Sequence, residues 1–371
     1  MKVVKFYRRI TAGMALSQLW KEFQEDARSS YRLYSLEVDS RRIPGKGRIR
    51  HFFSLVSQFS WAVIEKLTPA RRVLLLIALF LLLINMDAMC KGSNGESRSM
   101  LSSGIFWGIL ILLVLLAIEI ADRVVMKRDL QIAKEIQAWL LPPEPPQVPG
   151  LEIAFTTRPA NTVAGDYYDV FFRAASTLPG GAYLITIADV VGKSIPAAML
   201  MATFQASLKT LASTASSLTD LVGRMNNYAC TNSQNGRRFT TTFIAEYDPA
   251  TRSLIYVNAG HNQPILHRQT GAIERLQAGG IPLGIRENAD YKSGKVKLRS
   301  GDWLVIFTDG VTEAENNSGE EYGEARLMVA LHTNQVSTPS ELLNAIMLDI
   351  GRFVGNAPQH DDITLMLLKA S

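Results

Sequence analysis

The sequence contains few of the residues that build disulfide or zinc frameworks. Only two cysteines occur among 371 residues, Cys90 and Cys230, and the five histidines are not grouped. Two cysteines so far apart provide neither a CxxC metal pair nor a disulfide scaffold. We therefore expect a reducing compartment for most of the chain.

Most of the chain also lacks an excess of basic residues, although its net charge is +5. Residues 1–72 hold 15 Lys and Arg against 6 Asp and Glu, whereas the remaining residues hold 24 against 28. A basic excess confined to one end does not indicate a nucleic-acid-binding domain, and no nucleic-acid partner is expected. It favours attraction to an anionic membrane surface, so residues 1–72 are interpreted as a basic cytoplasmic segment.

The first residues lack the apolar segment of a secretory signal, because no h-region follows the basic stretch MKVVKFYRRI. A cleaved signal peptide is therefore not expected. Residues 51–67 are aromatic-rich and amphipathic enough to lie along a membrane surface. A small helical subdomain or a solvated connector explains the same residues equally well.

Two apolar runs follow, separated by a short polar loop: residues 73–84, extended to Cys90 if Asn85 and Asp87 lie near the far interface, and residues 101–118. Each approaches the roughly 17–25 residues that cross a bilayer. Basic residues flank the outer ends of both runs, which predicts that both chain termini lie in the cytoplasm. We expect a multi-pass membrane segment, a transmembrane helical hairpin over 73–121 with a short external loop. A buried hairpin of a soluble protein is the alternative.

A linker is predicted at residues 122–149. Its helix, at 124–141, carries Val125, Ile132 and Trp139 at intervals of seven, and five prolines then end it at Pro142, Pro143, Pro145, Pro146 and Pro149. The helix is too short and too often interrupted by charge for its heptads alone to establish a coiled coil.

Residues 150–371 change to short strands with turns between them, which indicates a new domain. Few strands are joined by helical crossovers, so antiparallel sheets flanked by helices are expected, in the α+β class. Strands are predicted at 151–157, 167–173, 183–188, 239–247, 253–258, 264–267, 292–298, 303–308 and 363–368, and helices at 194–213, 217–232 and 338–353. Ser194 is expected to cap the first helix, and Thr338 with Glu341 to form a capping box at the third.

Acidic residues recur at the predicted strand ends and turns. Taken singly, each has an ordinary explanation, because Asp favours turns and caps backbone amides. Together, so many carboxylates in one place would repel unless cations neutralised them, and oxygen ligands without Cys or grouped His select Mg²⁺ or Mn²⁺. The residues are Asp166 and Asp169 in AGDYYDV, Asp189 in IADVVGK, Asp309 in FTDGVTE, and Asp361 and Asp362 in QHDDITL.

Several stretches carry a family resemblance over about residues 128–369. They include EIQAWLLPPEPPQVPG, AGDYYDVF, ADVVGKSIPAAMLMA, NAGHNQP, GGIPLGI, FTDGVTEAENNSGEEYGEARL and QHDDITLMLL. In this order they resemble the SpoIIE/RsbU-type branch of the metal-dependent serine/threonine protein phosphatases, the PPM superfamily. The resemblance implies an αββα sandwich with two Mn²⁺ or Mg²⁺ ions at one end. The departures are Ala164 in place of a usual Gly, and Val191 and Ser194 in place of small residues.

Site residues follow from the resemblance by motif. It implies metal ligation by Asp166, Asp189, Asp309 and Asp361, with the Val190 carbonyl as a backbone ligand. Secondary candidates are Asp169, Asp362 and His261. For His261 a general-acid role and a structural role in its turn both remain open, and His360 is similarly ambiguous. No cysteine nucleophile is needed, because two bound cations activate water for direct attack on phosphorus.

The resemblance also implies a function and partners. It implies a membrane-anchored enzyme that hydrolyses phosphoserine or phosphothreonine on a signalling protein, a phosphorylated STAS-type anti-anti-sigma factor in a partner-switching pathway. A homodimer through the linker helix is expected, with signals relayed to the helices at 194–232, which resemble the family's regulatory switch region. The alternative is a catalytically silent membrane receptor that uses the same fold as a protein-binding module.

Overall fold

The computed structural model describes residues 67–90, 95–178, 180–233, 236–333 and 338–371. The basic segment expected at 1–72 therefore lies almost entirely outside the described residues. The chain divides into two compact units between Val124 and Val125.

The first unit contains α1 (Pro69–Cys90) and the beginning of α2 (Gly95–Leu140). The sequence predicted separate helices at 101–118 and 124–141, but the structure has one continuous helix. No Gly or Pro interrupts residues 119–124, so nothing in the backbone ends the helix before Pro142. Among the described residues, one helical stretch, Gly104–Leu140, is long and apolar enough to cross a membrane, because it contains 18 successive residues with a mean hydropathy of 2.6.

The helices α1 and α2 pack against each other within the first unit. A Cβ added at Gly108 would lie 3.0 Å from Leu82 Cγ, so the glycine permits a close approach of the two backbones. Arg71 forms ion pairs with Glu119 at 3.2 Å and with Asp122 at 2.5 Å. These contacts make a helical hairpin of the two apolar runs.

The second unit holds two sheets and their flanking helices. Its helices are α3 (Ser194–Ala212), α4 (Leu218–Thr231), α5 (Asp309–Thr312), α6 (Gly323–Thr333) and α7 (Pro339–Val354). Its strands are β1 (Leu151–Arg158), β2 (Tyr167–Arg173), β3 (Ala182–Val190), β4 (Thr240–Asp248), β5 (Ser253–Ala259), β6 (Ile265–His267), β7 (Ile273–Arg275), β8 (Gly279–Gly280), β9 (Gly294–Lys297), β10 (Trp303–Phe307) and β11 (Ile363–Ala370).

One sheet has the strand order β1-β11-β10-β6-β7, and the other has the order β2-β3-β4-β5-β8 with β9 also paired to β5. All pairs are antiparallel except the two-residue pair of β5 with β8. The expectation of two antiparallel sheets is thus right apart from this short parallel pair. The strands β7 and β8 were not predicted, because two or three residues show no alternation of polar and apolar side chains.

The sheets pack face to face, because their strands alternate apolar residues between two sides. In β10, Leu304 and Ile306 lie in the core between the sheets, whereas Val305 and Phe307 pack against α6 and α7. In β3, Ile185 and the other residues of its parity face the opposite sheet, while the alternate residues face α3 and α4. Four layers result, helices, sheet, sheet and helices, as the αββα expectation stated.

Two helix starts test the capping predictions. Thr338 accepts a hydrogen bond from Glu341 N while the Glu341 side chain accepts one from Thr338 N, so the predicted capping box is confirmed. The prediction for Ser194 is wrong: Lys193 occupies the N-cap position, and no side chain caps α3. Ser194 is instead the first residue of α3 and has φ of 61°, a left-handed conformation.

A buried ion pair holds the α3–α4 connection on its sheet. Arg173 in β2 pairs with Glu246 in β4, and both side chains are only 1% exposed. The guanidinium also donates to the carbonyl oxygens of Ala212 at 2.8 Å and Ala215 at 2.5 Å. The pair therefore connects two strands with the end of α3.

We expect Glu246→Gln to lower the free energy of unfolding by roughly 3–5 kcal/mol, because it leaves the buried Arg173 charge uncompensated. The melting temperature of the full chain in detergent should fall by roughly 10 °C. The control is Glu320→Gln, which weakens the exposed pair with Arg326 and should leave the melting temperature nearly unchanged, because exposed ion pairs contribute little to stability. Equal effects of the two variants would contradict the role given to the buried pair.

Candidate active site

Strand ends bring the predicted carboxylates to one end of the sandwich. Asp166 directly precedes β2, and Asp189 lies near the end of β3, which pairs antiparallel with β2 from Tyr167 opposite Ala188. In the other sheet, Asp309 follows the end of β10, and β11 begins just after Asp361 and Asp362. Antiparallel neighbours place the end of one strand beside the start of the next, so residues distant in sequence meet here.

Asp166 and Asp189 are neighbours in this cluster, the first buried and the second partly buried. Asp166 is 1% exposed, and burial, followed by repulsion from Asp189, raises its pKa well above the usual range. Burial and the charges of Asp309, Asp361 and Asp362 raise the pKa of Asp189 to about 7. Thr308 and Thr364 donate hydroxyl hydrogen bonds to Oδ2 of Asp166, which leaves Oδ1 for another partner.

Asp309 and Asp361 form the more accessible part. Burial and then the Asp361 charge raise the pKa of Asp309. Lys193, at the start of α3, lies beside them, with Nζ 3.5 Å from Asp361 Oδ2 and 2.6 Å from the His360 carbonyl oxygen. One half-exposed cation faces several carboxylates, so negative charge dominates this end.

Asp362 has a different role from its neighbour. Its oxygens accept hydrogen bonds from the backbone N–H groups of Ala160 at 2.7 Å and Gly165 at 2.6 Å. Burial raises its pKa, although these amide bonds oppose the shift. Asp362 thus positions the segment that precedes Asp166, and its backbone lies so close to Gly310 that a Cβ there would be 2.0 Å from the Asp362 carbonyl oxygen.

The Val190 carbonyl lies on the same side of the cluster as this segment. A Cβ added at Gly165 would be 3.1 Å from the Val190 oxygen and 3.2 Å from Ala197 Cβ. The glycine therefore lets the segment before β2 pass close to the end of β3. Because the Val190 carbonyl lies close to Gly165, the residue next to Asp166, it stays a candidate ligand.

Asp169 does not join the cluster. It lies within β2, where the alternation of the strand points it with Tyr167 and Phe171 toward α3. Its Oδ2 accepts from Tyr167 Oη at 2.7 Å and pairs with Lys209 Nζ at 2.6 Å. The structure therefore places this carboxylate in the packing of α3.

His261 is also held by contacts outside the carboxylate cluster. Its ring Nδ1 lies 3.0 Å from Thr241 Oγ1, and its backbone N–H donates to Asn258 Oδ1 at 2.7 Å. Burial lowers its pKa to about 4. These contacts favour the structural alternative for His261 over a proton-transfer role.

The donor set can be tested against a divalent cation. Within the described residues, no three His, Cys, Asp or Glu side chains already surround one point as metal ligands. The charges nevertheless fit a cation, because the oxygens of several desolvated carboxylates repel one another without one. Carboxylates together with a backbone carbonyl are the hard oxygen ligands that Mg²⁺ and Mn²⁺ take. The residue types therefore fit such an ion. Because their side chains do not already surround one point, they would have to move closer together to bind it.

Sequence reasoning missed several residues that support the cluster. Thr308 and Thr364 orient Asp166, and Lys193 adds the positive charge at the rim. All three lie within or beside the aspartate motifs, so their closeness in sequence to the aspartates could have identified them. Gln137, whose side chain bonds the backbone of Ala164, lies far away in sequence and had no such signal.

The pKa of His261 predicts a pH dependence of stability. Because this pKa is about 4 in the folded chain and near 6.5 when unfolded, only the unfolded chain takes up this proton between those values. Stability is therefore lost as pH falls through that window, by about 2 kcal/mol at pH 5. Changing His261→Asn should remove this contribution.

The measurement compares melting temperatures of the wild type and His261→Asn at pH 7 and pH 5. The carboxylate cluster titrates in both proteins, so the difference between them isolates the histidine. Between pH 7 and pH 5, the wild type should lose roughly 4–8 °C more than the variant. Parallel pH curves would show that His261 does not titrate as its burial implies.

Comparison with known proteins gives the family. The family model described as Stage II sporulation protein E (SpoIIE) matches residues 179–371. Protein IcfG of Synechocystis sp. is 30% identical over 280 residues, which cover 68% of this chain and 43% of that protein. Phosphoserine phosphatase RsbU of Bacillus subtilis is 30% identical over 246 residues, which cover 66% of this chain and 70% of that protein. The chain thus spans less than half the length of IcfG.

Solved structures agree on the fold. The SiaA-PP2C domain of Pseudomonas aeruginosa has a TM-score of 0.58 at 19% identity and covers 68% of this chain and 99% of that domain. The PP2C phosphatase domain of SpoIIE from Bacillus subtilis, with a fragment of its regulatory domain, has a TM-score of 0.50 at 17% identity, over 59% of this chain and 63% of that one. The two-sheet α+β fold is therefore PP2C-like, and the chain belongs to the SpoIIE family.

Proposed function

We propose that this chain is a metal-dependent protein serine/threonine phosphatase anchored in a membrane. The observation that carries the proposal is the convergence of Asp166, Asp189, Asp309 and Asp361 at one end of the sandwich, with raised pKa values at the first three. A bound cation would relieve the mutual repulsion of these carboxylates, so such a cluster favours cation binding.

The proposed ligands are these four aspartates together with the Val190 carbonyl, for two Mn²⁺ or Mg²⁺ ions. When bound, such ions act as Lewis acids that activate water and neutralise phosphoryl charge. Thr308 and Thr364 hold Oδ2 of Asp166, so Oδ1 is the proposed ligand atom. The half-exposed Lys193 ammonium lies at the rim, where it can attract an incoming phosphate.

The proposed substrate is phosphoserine or phosphothreonine on a signalling protein, specifically a phosphorylated STAS-type anti-anti-sigma factor of a partner-switching pathway. The relative named phosphoserine phosphatase, RsbU, supports this class of substrate. A cysteine nucleophile plays no part, because the Cys230 thiol contacts Asn226 within α4.

The proposed location is the bacterial inner membrane, with α1 and α2 as a transmembrane hairpin and the second unit in the cytoplasm. The apolar stretch of α2 supports a span, since its large side chains are exposed, Phe106 to 61% and Leu113 to 57%. Basic residues follow it at Arg123, Lys127 and Arg128, as expected for a cytoplasmic end.

A homodimer through the part of α2 beyond Val124 is proposed as well. Exposed apolar side chains lie there at helical spacing, Ile132 to 44%, Ile136 to 48% and Trp139 to 81%. Residues three, four and seven apart share one helix face, so a second copy could cover them together.

Phosphatase activity is tested with the full-length chain in detergent and a phosphoserine peptide, with Mn²⁺ or with EDTA. Asp309→Asn removes one ligand charge and should lower kcat/KM roughly a hundred- to ten-thousandfold. The control is Asp290→Asn, at an exposed position outside the cluster, which should leave kcat/KM unchanged. If wild type binds Mn²⁺ in a titration but releases no phosphate from any phosphoprotein, the silent-receptor alternative gains instead.

The dimer is tested by light scattering after size-exclusion chromatography in detergent. Trp139→Glu should halve the protein mass, because a carboxylate on the shared apolar face must lose water on association. The exposed residue Lys134, changed to Gln, serves as the control on the same helix. A mass unaffected by Trp139→Glu, or a monomeric wild type, would rule out this dimer face.

A further inference from the structure

The segment that carries Asp166 into the cluster, residues 159–166, has no regular secondary structure. Its last four residues, 163–166, are buried all the same, with Ala164 and Asp166 each 1% exposed. Buried backbone N–H and C=O groups need hydrogen-bond partners, and this segment has no strand neighbour to supply them. Its position therefore depends on side chains from elsewhere.

Asp362 supplies the partners on one side. It accepts from the N–H groups of Ala160 and Gly165, at 2.7 and 2.6 Å, and so attaches the segment to the start of β11. Ala164, between those two anchors, receives nothing from Asp362. Its two backbone groups are bonded by a different side chain.

That second anchor is Gln137, in the last turn of α2. Its Nε2 donates to the Ala164 carbonyl oxygen at 2.6 Å, and its Oε1 accepts from the Ala164 N–H at 2.9 Å. The amide thus engages both backbone groups of one residue, as a neighbouring strand would. Gln137 is 7% exposed, whereas Ile136 beside it is 48% exposed, so this one side chain turns inward from an otherwise accessible stretch.

We infer that Gln137 is a positioning residue for the cation site. The inference rests on the proposed function. Ala164 lies two residues before Asp166, whose Oδ2 is held by Thr308 and Thr364. Gln137 thus holds the backbone of the segment while the two threonines hold the carboxylate it carries, and release of the Gln137 contact loosens the ligand at its backbone.

Two explanations of the Gln137 contact differ in what they change. If the amide only attaches α2 to the domain, its loss lowers stability but leaves the folded site with the same affinity for a cation. If it positions Asp166, the folded protein itself binds the cation less tightly. Groups that orient metal ligands typically contribute roughly 10- to 100-fold in affinity.

The test uses Gln137→Met, which keeps the length of the side chain and removes both hydrogen bonds. Gln137→Asn, a second variant, keeps the amide but is one methylene too short to hold both bonds. The matched control is Gln131→Met in the same helix, an exposed glutamine bonded only to Glu135 at 3.3 Å. Full-length proteins in detergent are titrated with Mn²⁺ alone, and free Mn²⁺ is read by electron paramagnetic resonance.

We expect the Mn²⁺ Kd to rise about tenfold in Gln137→Met, by less in Gln137→Asn, and not at all in Gln131→Met. The kcat for a phosphoserine peptide should recover to within about twofold of wild type at saturating Mn²⁺. A folded Gln137→Met with a lowered melting temperature and an unchanged Kd would overturn the inference. A wild type that binds no Mn²⁺ would overturn the proposed cation site and the inference with it.

Discussion

Repulsion among the carboxylates at one end of the sandwich is the unfavourable interaction that the rest of the structure must offset. Asp166 is buried and Asp189 is partly buried, and each lies within the electrostatic reach of further aspartates. Burial of unpaired negative charge is unfavourable, so the fold must compensate with strongly packed sheets around the site. The continuous apolar core between the sheets, to which β3, β10 and β11 all contribute, provides that support.

The cluster is held by neighbours that are themselves anchored. Thr308 and Thr364 come from adjacent antiparallel strands, so the register of β10 with β11 sets where their hydroxyls lie. Asp362 attaches the loop before Asp166 to the same strand end. A small shift in strand register would therefore move the hydrogen-bond donors and the carboxylates together. This coupling explains why a site of aspartates on four separate segments can keep one geometry.

Ion pairs elsewhere show that charge in this fold is used for different purposes. Arg173 and Glu246 are buried together and attach the end of α3 to the sheet, while Lys209 neutralises Asp169 beneath the same helix. Both of these pairs have partners of opposite sign in place. The cluster at the sandwich end has several carboxylates near the half-exposed Lys193, and this excess of negative charge distinguishes the proposed cation site from a structural ion pair.

Local sequence determined much of this chain. Apolar runs, turn residues and alternation located most strands within a few residues, and the capping box set the start of α7, because these signals depend only on neighbours along the chain. The aspartate motifs likewise identified the carboxylates that meet. Tertiary structure alone decided that Asp169 faces Lys209 instead of the cluster. Alternation along a strand separates its two faces, but only the packing of the layers determines which face meets the helices. It also decided that Gln137 bonds Ala164, because hydrogen bonds across 27 residues leave no periodic trace in the sequence.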